Sequence, residues 1–126
     1  MNWAYIIFDG TLSDVAEKMI RSLLRHNDCR VLVNWVNPDH QRFNTLNKQF
    51  DGRLVLYEMA PKEWKNQRMY RKIRQLLEMP FQTNDRVFVL DTDLLIQDEI
   101  FNALSEGDVY VTSRHYNYWY AVNGGV

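Results

Sequence analysis

Two aspartates one residue apart, Asp91-Thr92-Asp93, sit between the apolar runs Val87-Phe88-Val89-Leu90 and Leu94-Leu95-Ile96. A buried carboxylate without a partner costs several kcal/mol, so the pair needs either open water or a cation. A divalent metal meets that need. Mn²⁺ or Mg²⁺ takes oxygen ligands in octahedral geometry, keeps several waters and bridges substrate phosphates, so one or two protein carboxylates suffice. The spacing alone carries little information, because ten Asp in 126 residues give about one such pair by chance. Its setting at the end of an apolar run supplies the rest, against the plainer reading in which Asp93 only caps the segment that follows. Asp9 holds a similar position, closing the apolar run Trp3 to Phe8 ahead of Gly10. Lys62, Lys65, Arg68, Arg71, Lys72 and Arg74 place six of the 15 basic residues in one short stretch. That stretch reads either as a solvated helix face or as a diphosphate-attracting one, with Arg71 the residue chosen for substrate contact.

The elements that must position these groups follow from two alternating periods. Trp3 to Phe8 reads as a buried strand ending in a turn at Asp9-Gly10. Leu12, Val15, Ala16, Met19, Ile20, Leu23 and Leu24 recur at three- and four-residue spacing, a helix stripe that Thr11 can cap with Asp14 three residues on. Arg30 to Val36 is a second strand, and Asn37-Pro38 offers a cap and first residue for a helix buried through Phe43, Leu46 and Phe50 and ended by Asp51-Gly52. Arg53 to Tyr57 is a third strand. A long helix with Met69, Ile73, Leu76 and Leu77 inward runs from about Gln67 to Pro80, and Val87 to Leu90 is a fourth strand, apolar enough to be central. A short helix from about Asp98 to Leu104, a strand Val109 to Thr112 and an aromatic stretch Tyr116 to Val122 complete the reading.

This order is the grammar of an α/β, doubly wound, mostly parallel sheet within a single domain over residues 1–126. The expected strand order in the N-terminal half is 3-2-1-4, with the winding reversing between strands one and four. Ligands bind in that crevice, outside the carboxyl ends of the strands, where Asp9 and Asp91 fall.

The stretch Arg86-Val-Phe-Val-Leu-Asp-Thr-Asp-Leu-Leu-Ile96, followed by Asp98-Glu-Ile-Phe-Asn-Ala-Leu104, resembles the metal-binding signature of GT-A fold glycosyltransferases, closest in style to the glycogenin and lipopolysaccharide galactosyltransferase group. The ending Tyr120-Ala-Val-Asn-Gly-Gly-Val126 is similar to the Asn-small-Gly segment of those enzymes, and Met69-Tyr-Arg-Lys72 to the helix whose basic residue approaches the sugar or diphosphate. The resemblance implies a nucleotide-diphosphate sugar donor, UDP-sugar favoured, and a Mn²⁺ or Mg²⁺ cofactor. It implies that Asp93 coordinates the metal, that Asp91 contacts ribose or a metal-bound water as part of the same ligand pair, and that Asp9 helps hold the base. Arg71, Asn123 and Gly124 then contact the substrate. It also implies an acceptor-binding part beyond Val126, so the chain is expected to lack the acceptor half; the acceptor, whether saccharide, lipid-linked glycan or protein, stays open. His115 is weighed as a late metal ligand and more simply as a surface residue, and Tyr116, Tyr118, Trp119 and Tyr120 as a stacking platform or as edge packing.

Composition narrows the alternatives. With 46% hydrophobic residues, 25% charged and a formal charge of −1, the chain reads as globular and lacks the basic surplus that general nucleic-acid binding requires. The single Cys29 forms no internal bridge, which fits a reducing compartment. The longest early apolar run has six residues, far short of a membrane span or a signal peptide, so a cytoplasmic location is expected. Phe8-Asp9-Gly10-Thr11-Leu12 resembles the end of the haloacid-dehalogenase phosphatase motif, but Ile7 stands where that motif needs a nucleophilic aspartate. A non-catalytic nucleotide- or metal-binding module is the remaining alternative.

Overall fold

Alternation along β1 (Asn2–Asp9) sends Ala4, Ile6 and Phe8 to one side of a sheet and Tyr5 and Ile7 to the other, and both sides are apolar. The protein is described by a computed structural model over residues 1–59 and 76–102. After β1 come α1 (Asp14–His26), β2 (Arg30–Val36), α2 (His40–Gln49), β3 (Leu54–Met59) and β4 (Arg86–Val89). The four strands form one parallel sheet in the order β3-β2-β1-β4, as the sequence predicts.

That order fixes where the helices lie. From β1 through β2 to β3 the chain steps in one direction, whereas β4 lies beyond β1, so right-handed crossovers put α1 and α2 on one face while Leu76, Met79 and Phe81 reach the other. On the first face α1 contributes Ala16, Met19, Ile20, Leu23 and Leu24, and α2 contributes Phe43 and Leu46, with Phe50 at its end. They pack on Ala4, Ile6, Val31, Val33 and Trp35. Each fully buried large apolar side chain contributes about 1.5–3 kcal/mol. On the second face Tyr5, Ile7, Leu32, Val36 and Met59 meet Met79, with Leu76 and Phe81 beside it; residues 76–78 are helical.

Several local expectations are corrected. Ser13, not Thr11, caps α1, its Oγ accepting from the Ala16 amide at 3.1 Å. Leu12 is drawn into the core, so the chain enters the helix two residues later than the cap at Thr11 would have it. Val15 lies 54% exposed, off the buried stripe. Asp39, not Asn37, caps α2 by accepting from the Arg42 amide at 3.0 Å, because Asn37 is held left-handed at φ 56° while its amide donates to the Met59 carbonyl. Among the described residues β4 has β1 as its one neighbour, and its residues are exposed or half-buried. The described part of the expected 98–104 helix, residues 98–102, is bends and turns. There the Glu99 carboxylate accepts the amides of Phe101 and Asn102. The strand 109–112 and the aromatic stretch 116–122 lie outside the described residues.

At the amino-terminal rim, α2 ends in paired reverse bonds: the Gly52 amide donates to the Asn47 carbonyl at 2.8 Å and the Asp51 amide to Lys48 at 3.4 Å. Asp51 (φ 55°) and Gly52 (φ 74°) are both left-handed there. Arg53 follows at once. Its guanidinium donates to the carbonyls of Cys29 (3.0 Å), Leu24 (3.1 Å) and Asn27, taking up acceptors that the end of α1 and the start of β2 leave open.

Candidate functional site at the carboxyl edge

The two sides of β1 end differently. Toward β2 the ladder runs from Trp3–Arg30 to Asp9–Val36, and the Gly10 amide adds a bond to the Val36 carbonyl at 3.4 Å. Toward β4 it covers only Asn2–Arg86 to Tyr5–Val89, closing with the Leu90 amide on the Tyr5 carbonyl at 3.0 Å. Beyond that rung the chain turns at Thr92-Asp93 instead of continuing as a strand. Asp9 and Asp91 therefore occupy neighbouring strand ends, as the topology predicts. They are not level. The register puts Asp91 beside Ile7, two residues short of Asp9, or about 7 Å along the strand direction. Asp9 and Asp93 are exposed and Asp91 is half-buried. Alternation assigns Asp9 to the face of Tyr5 and Ile7.

The segment carrying the two acids is tied down on its far side. The Ile96 amide donates to Ser22 Oγ at 3.0 Å, and the Ile100 amide to Asn27 Oδ1 at 2.8 Å, while Asn27 Nδ2 donates to the Asp98 carbonyl at 3.3 Å. Arg86 reaches the Phe101 carbonyl at 3.0 Å, and Phe101 meets Phe88 edge-on at 4.9 Å. Leu94, Ile96 and Ile100 pack on the first-face core. Asp91 and Asp93 thus lead into a loop held by backbone bonds to α1. Among the described residues no three of His, Cys, Asp and Glu gather as a metal-binding group. Two carboxylate-bearing residues two apart are hard oxygen donors of the kind Mg²⁺ and Mn²⁺ accept when waters and phosphate fill the other positions.

A second feature of this edge escapes sequence reading. Between the ends of β1 and β2 lies a cleft of about 330 Å³ lined by Gly10, Thr11, Leu12, Asn37, Pro38, Asp39 and Arg42. The starts of α1 and α2 both face this edge, and the partial positive charge of helix amino ends favours anionic or polar groups. Gly10 is left-handed at φ 80°, and its carbonyl accepts from Trp35 Nε1 at 2.7 Å, which fixes the turn leading into α1. Arg42 pairs with Glu17, joining the two helices beside the cleft. The available signal was two predicted helix starts following adjacent parallel strands; their convergence is a tertiary matter.

Other groups are placed without joining the site. Arg71 lies outside the described residues, although Leu76, Met79 and Phe81, which follow it, cover the face to which Asp9 belongs. Asn123, Gly124 and His115 also lie outside them, as do the basic residues 62–74 and the aromatic residues 116–120. Ile7, at the position a phosphatase nucleophile would need, is packed in the second-face core. Cys29 is buried at the opposite rim, and burial pushes its thiol up to about 11, which removes it as a nucleophile near neutral pH. Tyr5 accepts from Asn34 Nδ2 at 3.0 Å within the sheet, and burial pushes its hydroxyl up to about 12. Among the described residues no helix is long and apolar enough to cross a membrane. Compared with family models, curated proteins and solved structures, the chain finds no match.

Proposed function

We propose that this chain is the nucleotide-sugar-binding part of a metal-dependent, cytoplasmic glycosyltransferase with a GT-A-like fold. The observation that carries the reading is topological: Asp9 closes β1 and Asp91 follows two residues after the end of its parallel neighbour β4, where the winding of the sheet reverses, with Asp93 in the turn just beyond. Asp91 and Asp93 would hold Mn²⁺ or Mg²⁺. When bound, the metal supplies positive charge against the diphosphate of a UDP-sugar or related donor and stabilises the departing nucleotide. Asp9 would orient the nucleoside, and Arg71, Asn123 and Gly124 would contact the diphosphate and sugar, roles that rest on the family resemblance. No covalent step on a protein nucleophile is needed, since the sugar passes to an acceptor hydroxyl as the bond to the nucleotide breaks.

Thermal melting with UDP-glucose, UDP-galactose and GDP-mannose, each with and without Mn²⁺, tests the binding half. Binding to the folded state at about 100 times Kd adds about 2.7 kcal/mol, a shift of several degrees. The expected result is a rise that needs both metal and nucleotide sugar and disappears in Asp93→Ala. No shift with any donor, or an undiminished shift in the variant, ends the proposal. Release of free nucleotide, lost in Asp93→Ala, identifies an enzyme. Metal-dependent binding without release identifies a non-catalytic module.

A further inference from the structure

A basic strip and an apolar side chain meet on the outer surface of α1. Lys18, Arg21, Ser22, Arg25 and His26 recur at helical spacing on the side away from the buried Ala16, Met19, Ile20, Leu23 and Leu24. With Leu95, Ile96 and Gln97 they line a groove of about 380 Å³. Leu95 is 65% exposed. The loop that carries it is anchored beside α1, the Ile96 amide donating to Ser22 and the Ile100 amide to Asn27. Arg21 is occupied by Glu17 at 3.2 Å and by Gln49, and stacks over Phe50. Lys18, Arg25 and His26 form no ion pair with the described residues.

We propose that this groove docks a short acidic peptide segment of a partner protein, carrying one apolar side chain that seats on Leu95 and Ile96. Charge and size both argue for that occupant. The strip from Lys18 to His26 is about 12 Å long, the reach of roughly four extended residues. Asp14 precedes it on α1, and Asp28 and Asp98 follow beyond its end, beside Asn27. A flat anionic lipid surface or a nucleic-acid strand would extend across those carboxylates and be repelled by them, whereas a short segment fits between them. The apolar contact supplies affinity that exposed ion pairs alone do not. This inference is independent of the nucleotide-sugar reading.

Fluorescence anisotropy of a labelled peptide of Glu and Asp with a central Leu-Phe pair, titrated with the protein in low salt, provides the test. Replacing its acids by Gln and Asn should weaken binding by about tenfold, and the Lys18→Glu/Arg25→Glu variant should lose about as much, as expected for reversing two attractive contacts. Leu95→Ser should weaken binding several-fold with the salt dependence retained. All three positions are exposed, so an unchanged melting temperature shows that the variants fold, and Lys48→Glu on α2 should leave affinity unaltered. Equal binding of acidic and neutral peptides overturns the proposal. So does full affinity in the double variant, or tighter binding to phosphatidylglycerol vesicles or to a single-stranded oligonucleotide.

Discussion

The two flanks of β1 show how one strand can be fully paired on one side and only half paired on the other. Toward β2 its backbone is paired through to Asp9, and the turn beyond is fixed by Trp35. Toward β4 the pairing stops at Tyr5, and the chain that would have continued it turns away carrying Asp91 and Asp93. The first flank spends its backbone groups on the sheet. The second leaves the edge of β1 beyond Tyr5 without a strand partner among the described residues, next to the acids. A parallel sheet therefore frees a strand edge wherever the neighbouring strand ends early.

The largest effect should come from Trp35, which is buried against Phe8 and holds the Gly10 carbonyl. Trp35→Ala should cost about 3–5 kcal/mol in denaturant unfolding. A loss under 1 kcal/mol would show that the β2 flank is not the rigid one. Tyr5, at the last rung of the β4 flank, should show itself on alkaline titration. Its folded pKa of about 12 exceeds the usual 10.0, so the unfolded chain ionises first and stability falls as pH rises from 10 to 12. The loss is on the order of 2 kcal/mol. Cys29 acts in the same sense between 9.0 and about 11, so Cys29→Ala should narrow the alkaline decline to the tyrosine range. Tyr5→Phe should cost about 1–3 kcal/mol by stranding the buried Asn34 amide, and adding Asn34→Leu should return much of it, which a double-mutant cycle would detect. Ser13→Ala should cost about 1 kcal/mol through the α1 cap. Asp93→Ala, on the open flank, should change stability by less than about 0.5 kcal/mol while abolishing metal-dependent nucleotide-sugar binding. A large stability loss there would mean that Asp93 is structural.

Much of this was legible beforehand because burial on both faces writes itself into residue type. Arg30–Val36 is a strand in the sequence reading and in the structure, since beyond Arg30 alternate residues of β2 are apolar toward each face and Asn34 alone interrupts them. The 3-2-1-4 order follows from the commonest arrangement of such an alternating unit. Caps were less legible: Thr11 and Ser13, like Asn37 and Asp39, offer nearly equivalent oxygens, and the choice fell to where Leu12 packs and where the Asn37 backbone bonds. The short helix expected from Asp98 failed for a similar reason, because Asn27, far away in sequence, captures the backbone of that loop. Of the site, the placement of Asp9 and Asp91 at the carboxyl edge was readable from topology. Their offset by two residues depends on how far β4 extends, and the cleft beside Arg42 on two helices meeting, which no local pattern encodes.

Arg53 gives the molecule a sewn base. One side chain laces the close of α1 and the opening of β2 to its own position just ahead of β3. Loops at the far rim can therefore lengthen, shorten or change their chemistry while the foundation stays put, so grafting new loop sequences after β1 or β2 should alter what the protein grips well before it alters whether it folds.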